Sequence, residues 1–294
     1  MFGRLITAMI TPMNDDGSIN YQLAADFAEN LINNGSDALV VAGSTGEAAT
    51  LSADEKLELF RVVAQRVNGR AKIIGGTGSN DTQSSINLTK QAASTGIDGV
   101  MLVGPYYNKP TQQGFYEHFK AVATATELPV VLYNVPGRTS SNIAPVTVAK
   151  LANELPNVVA LKEACGNLEQ VIELMSVVPE DFIIYSGDDE LTIPMMAIGA
   201  HGVISVVGNI AGNEMQEMIQ AFLAKDITKA AKLQVHMHRL IKAMFMVTNP
   251  IPVKAAACLT TLNNQGGKLR LPLTPMSAAE LTTLIDILKT YNKI

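Results

Sequence analysis

Eight short apolar runs rich in β-branched residues, each followed by a longer stretch of helical period, occupy the chain up to about residue 224. They fall at residues 3–10, 38–41, 72–75, 99–103, 129–134, 158–162, 182–186 and 202–206. This alternation is the pattern of parallel strands joined by crossover helices. Eight units predict a closed (β/α)8 TIM barrel, because closure removes both sheet edges and about 250 residues is the usual size. An open doubly wound sheet is the alternative. Ser52-Ala53-Asp54-Glu55 marks the clearest helix start, with Ser52 as cap and Glu55 reaching back to it. Past the eighth unit only helical stretches remain, over 227–246, 252–262 and 277–291, separated by Asn249-Pro250-Ile251-Pro252 and Gly266-Gly267. The expected organisation is therefore a barrel over 1–224 and a small C-terminal helical region over 225–294.

Composition excludes several functions. Apolar residues at 47% and charged residues at 17% fit a well-buried globular fold. With 22 basic against 27 acidic residues there is no basic field to gather a nucleic acid. No apolar stretch reaches the roughly 18 residues of a membrane span, and residues 1–12 lack the features of a signal peptide. Cys165 and Cys258 match no metal or redox spacing, which makes a reduced, cytoplasmic chain the simplest reading. His118, His201, His236 and His238 do not cluster as zinc ligands, so no metal site is expected from them. Met237, Met244 and Met246 read as core or subunit interface.

In a parallel barrel the chemistry sits where the strands end. Lys162 closes the run at 158–162 and would project into the barrel mouth, where desolvation can lower its pKa enough to supply a neutral amine that attacks a ketone. A strand-end lysine paired with Glu163 or extended to solvent is the alternative. Ser44, Tyr107 and Tyr133 also lie at strand ends and offer three hydroxyls for the proton transfers of imine chemistry; each tyrosine could instead be a structural amphipath. Arg138 supplies a planar fork suited to a carboxylate, or is an ordinary surface arginine. Neither Gly43-Ser44-Thr45-Gly46 nor Gly75-Gly76-Thr77-Gly78 fits a nucleotide-binding spacing. Asp188-Asp189-Glu190 could bind a cation, but consecutive acids point apart and more often charge a helix N-terminus.

Taken together, Gly43-Ser44-Thr45-Gly46-Glu47, Tyr106-Tyr107-Asn108, Tyr133-Asn134-Val135-Pro136-Gly137-Arg138-Thr139, Leu161-Lys162-Glu163 and Ser186-Gly187-Asp188-Asp189 resemble the dihydrodipicolinate synthase family of pyruvate-dependent class I aldolases and lyases. The resemblance runs end to end and includes Asn249-Pro250-Ile251-Pro252-Val253-Lys254 and Leu271-Pro272-Leu273. It implies condensation of pyruvate with L-aspartate 4-semialdehyde, the step leading into diaminopimelate and lysine, with Lys162 forming the Schiff base. By the same resemblance Tyr133 relays protons, Ser44 and Tyr107 complete a hydroxyl chain, and Tyr107 arrives from a neighbouring subunit. Arg138 would hold the semialdehyde carboxylate and Thr45 the pyruvate carboxylate, while Gly187 and Ile204 would line the pocket. A homotetramer built as a dimer of dimers, without metal or organic cofactor, is implied as well.

Two departures from the family pattern stand out. Relatives commonly carry Thr where this chain has Ser44, so the hydroxyl is kept without the methyl that restricts its rotamers. Lysine-inhibited relatives often place Ser, His, His and Glu where this chain has Ala48, Ala53, Lys56 and Ser84, although Asn80 and Tyr106 remain. Losing an acid and gaining a cation predicts poor feedback by lysine. Within the family, N-acetylneuraminate lyase and 2-keto-3-deoxy sugar acid aldolases share the Lys and Tyr chemistry and are the second reading. A metal-dependent enolising barrel using Asp188 and Glu190, and a non-catalytic binding barrel, are readings from other classes.

Overall fold

The computed structural model describes residues 2–294 and is a closed barrel of eight parallel strands in sequential order. The strands are β1 (Leu5–Ala8), β2 (Ala38–Val41), β3 (Lys72–Gly76), β4 (Gly99–Val103), β5 (Val130–Asn134), β6 (Val158–Glu163), β7 (Ile183–Ser186) and β8 (Gly202–Ser205). Each lies on one of the eight apolar runs. The largest trimming is at β1, where the run at 3–10 yields only four residues: the Ile10 amide donates to Asn209 Oδ1 at 3.1 Å instead of to a neighbouring strand.

Alternation along the strands makes two apolar compartments. Outward side chains such as Leu39, Ile73, Leu102, Leu132 and Leu161 pack under the surrounding helices. Inward ones such as Ile6, Val40, Ile74, Val131, Ala160 and Ile204 fill the barrel. One irregularity changes what β6 points inward. Val130 pairs with Val158, but Val131 pairs with Ala160, so Val159 is an extra residue on β6. Val158 faces the helices, whereas Val159 and Ala160 both face the interior. Beyond this bulge the parity is reversed, Leu161 packs outward, and Lys162 lies inward in register with Tyr133. A regular strand would have sent Lys162 to the helix side.

The helix Ala53–Val67 starts at the expected capping box, with Ser52 accepting from the Glu55 amide and the Glu55 side chain returning to Ser52. The last three helices are Ile227–Ala243, Ile251–Thr260 and Ala278–Thr290. The first ends three residues before the expected 246, because the amides of Met244, Phe245 and Met246 turn back to carbonyls three residues earlier. Helices Ile227–Ala243 and Ile251–Thr260 pack on Gly208–Leu223, which brings the segment between them over the C-terminal mouth of the barrel. Met237 and Met244 are core residues. No helix among the described residues is long and apolar enough to cross a membrane.

Candidate active site

Lys162 rises from β6 into a cavity of about 270 Å³ at the strand C-termini, and is itself only 4% exposed. Its ammonium form is disfavoured there by desolvation, partly offset by Asp189 and reinforced by the Arg138 charge, which brings its pKa down to about 8. It forms no ion pair among the described residues. The neighbouring Glu163 faces outward, where it accepts from Asn134 Nδ2, the Cys165 amide and Gln170 Nε2. The Lys162–Glu163 pairing considered as an alternative is therefore not formed. Desolvation raises the Glu163 carboxyl, and those three donors pull it back.

Tyr133, the penultimate residue of β5, lies beside it, with the Lys162 Nζ 4.4 Å from the ring centroid. Burial pushes its phenol up to about 12, against the lowering effects of Arg138 and the nearby Ser44 hydroxyl. Such a group stays protonated at neutral pH, so it can pass on one proton while accepting another. Ser44 and Thr45 come from the tight loop after β2 and line the same cavity. Thr45 is buried and its Oγ1 accepts from Asn249 Nδ2 at 3.1 Å. Arg138, on the short helix Pro136–Thr139, lines the cavity and donates from Nη2 to the Asn249 carbonyl at 3.1 Å. Gly187, after β7, lies against the lysine stem: a Cβ there would sit 2.7 Å from Ala164 Cβ and 3.2 Å from Lys162 Cε.

An amine poised near neutrality, a neutral phenol, a hydroxyl and a guanidinium fork thus converge on one hollow large enough for a small keto acid. The sequence profile of the Dihydrodipicolinate synthetase family matches residues 1–291. The chain belongs to this family. A 4-hydroxy-tetrahydrodipicolinate synthase of Desulforamulus reducens is 52% identical over 294 residues, covering 99% of this chain and 98% of that one. A crystal structure of a dihydrodipicolinate synthase from Bacillus anthracis superposes with a TM-score of 0.96 at 46% identity, covering 99% of this chain and 98% of that one. A synthase from Cyanidioschyzon merolae, solved with lysine bound, gives 0.96 at 45% identity over 100% and 99% of the two chains.

Tyr107 is expected in the cavity of a neighbouring copy, and Ile204 at the cavity of its own chain. Tyr107 is 88% exposed and outside the cavity, and Ile204 is fully buried in the barrel interior. On the β8 side the cavity wall is Val206. A second hollow of about 320 Å³ shares Ser44, Tyr133 and Arg138 with the first and extends to Lys56 and Tyr106.

The acids after β7 diverge. Asp188 caps the Glu190 amide, Asp189 accepts from the Val206 and Val207 amides, and Glu190 pairs with His238 and Lys242. Among the described residues no cluster of three or more His, Cys, Asp or Glu side chains is arranged to hold a metal ion. Sequence reasoning missed two contributors. Asn249 ties Thr45 to Arg138, and its signals were the break between helices and the family-like run Asn249-Pro250-Ile251-Pro252-Val253-Lys254, neither of which assigned it a role. Buried Asp189 fixes the backbone after β8 and opposes deprotonation of Lys162.

Proposed function

We propose that this chain condenses pyruvate with L-aspartate 4-semialdehyde, the 4-hydroxy-tetrahydrodipicolinate synthase reaction, through a Schiff base at Lys162. The observation that carries the reading is the inward Lys162, its pKa brought down to about 8, flanked by Tyr133. Its amine adds to the pyruvate carbonyl carbon, and protons reach the departing oxygen through Tyr133 and Ser44 until water leaves. Loss of a methyl proton gives the enamine. Its carbon attacks the aldehyde, and the substrate amine then displaces Lys162 as the ring closes. Thr45 faces the pyruvate carboxylate, Arg138 the semialdehyde carboxylate, and Gly187 leaves room for the lysine stem.

Tyr107 completes the hydroxyl chain in the cavity of a neighbouring copy. Its 88% exposure on an isolated chain suits a donated residue, and a homotetramer arranged as a dimer of dimers provides the recipient. We assign residues 1–224 to the catalytic barrel, residues 225–294 to a helical region bracing it, and the protein to the cytoplasm. Cleavage of N-acetylneuraminate or 2-keto-3-deoxy sugar acids is not favoured, since relatives about 50% identical over nearly the whole chain carry the condensing name. Borohydride reduction with pyruvate, followed by mass mapping, should place one three-carbon adduct on Lys162. An unmodified Lys162 would end the Schiff-base reading, and a preference for sugar-derived aldehydes over aspartate semialdehyde would end the substrate assignment.

A further inference from the structure

The loop after β2 carries Ser44 and Thr45, yet its own sequence gives little to hold it. Its last residue, Glu47, has φ of +58°, in the left-handed region that non-glycine residues seldom adopt. Such a conformation persists only where the surroundings over-determine it. Here they do so through a buried ion pair together with hydrogen bonds from neighbouring segments. Lys254, in the helix Ile251–Thr260, reaches Glu47 Oε1 at 2.6 Å, and the two side chains are 1% and 0% exposed. The same Nζ donates to the Lys268 carbonyl, and Glu47 Oε2 accepts from the Arg270 amide at 3.2 Å. Both carboxylate oxygens are thus committed to the last part of the chain. Within the loop the Glu47 amide donates to the Ser44 carbonyl and the Ala48 amide to the Gly43 carbonyl. Thr11 Oγ1 holds the Gly46 carbonyl at 2.7 Å.

Taking two charges out of water is costly, and well-packed apolar residues of similar volume often serve stability as well or better. Stability therefore gives no reason to bury this pair; its location gives one. Asn249, five residues before Lys254 in sequence, ties down Thr45 Oγ1 from the other side. Glu47 and Asn249 bracket the two residues whose hydroxyls must meet the imine and the pyruvate carboxylate.

We propose that Glu47 and Lys254 are a positioning pair that fixes Ser44 and Thr45 for imine chemistry from the C-terminal helical region. The inference rests on the Schiff-base reading above. Neither residue touches the reacting atoms.

Removing one partner alone strands a buried charge and destabilises strongly, so the deciding variant removes both charges, Glu47→Gln with Lys254→Met, and Glu47→Gln is made beside it. Measured are melting, kcat, KM for pyruvate and the pH dependence of borohydride trapping. The expected result is a folded double variant whose kcat falls at least tenfold and whose pyruvate KM rises several-fold, with the trapping midpoint unmoved because Lys162 keeps its surroundings. Wild-type kcat and KM in a folded double variant would overturn the proposal. So would a moved trapping midpoint, or failure of both variants to fold, which would assign the pair to folding alone. Absence of any adduct in the wild-type protein would instead remove the reading on which the inference stands.

Discussion

Lowering the Lys162 pKa from 10.5 to about 8 disfavours the ammonium by roughly 3 kcal/mol in the folded protein. At pH 7 an unperturbed lysine is neutral in about 0.03% of molecules, and one at 8 in about 10%, a gain of roughly 300-fold in reactive amine. Pyruvate-dependent trapping should therefore rise close to tenfold between pH 6 and 7 and level off above about pH 8. Linkage gives a second, independent readout. The folded value lies below the unfolded one, so between about pH 8 and 10.5 the unfolded chain binds more protons and stability climbs with pH. Below about pH 8 the full penalty is present. Lys162→Met should thus melt several degrees above the parent at pH 7, and the gap should close by pH 10.5. Trapping that still climbs tenfold per pH unit beyond pH 9, together with a Lys162→Met protein no more stable than its parent, would refute a desolvated amine.

Gly187→Ala would put a Cβ 2.7 Å from Ala164 Cβ and 3.2 Å from Lys162 Cε, so the chain there must shift and disturb the lysine stem; kcat should fall about tenfold or more together with a lower melting temperature, checked by steady-state kinetics alongside melting. Tyr133→Phe removes the proton relay while keeping the ring against Lys162, and should lower kcat by about 10²–10⁴-fold with pyruvate binding retained, measured by turnover and by pyruvate titration. Ser44→Thr restores a methyl that restricts the hydroxyl, so turnover should hold or improve; a markedly lower kcat would contradict the relay. Lys56, lining the second hollow with Tyr106, brings a cationic side chain to the position where lysine-sensitive relatives often have His, so millimolar lysine should inhibit weakly; strong inhibition at micromolar lysine would contradict this.

The barrel was legible because strands buried on both faces read as continuous apolar runs, and eight of them leave few other ways to hide their edges. Lys162 was legible as a chemical oddity, a cation closing such a run. Its projection into the barrel mouth was expected from its place near the strand end, but the bulge that turns it inward was not. The residues from Val158 to Lys162 carry no mark that Val159 is the extra one, since valine suits either side of a strand, and only pairing with β5 reveals the shift. Asn249 and Lys254 were noticed together only in the run Asn249-Pro250-Ile251-Pro252-Val253-Lys254 that resembles the family, but their partners Thr45 and Glu47 lie more than 200 residues away. No local pattern encodes a contact of that span. Asp189 was read as one of three helix-start charges. Asp188 fills that role, and Asp189 is turned inward to the β8 backbone, a distinction that adjacent acids of similar type do not display in one dimension.

Because the loop carrying Ser44 and Thr45 is tied to Asn249 and Lys254, a ribosome must have nearly finished its message before the reactive centre is whole. A chain translated past β6 but not yet to Asn249 already owns its lysine but lacks the braces that hold the hydroxyls against it.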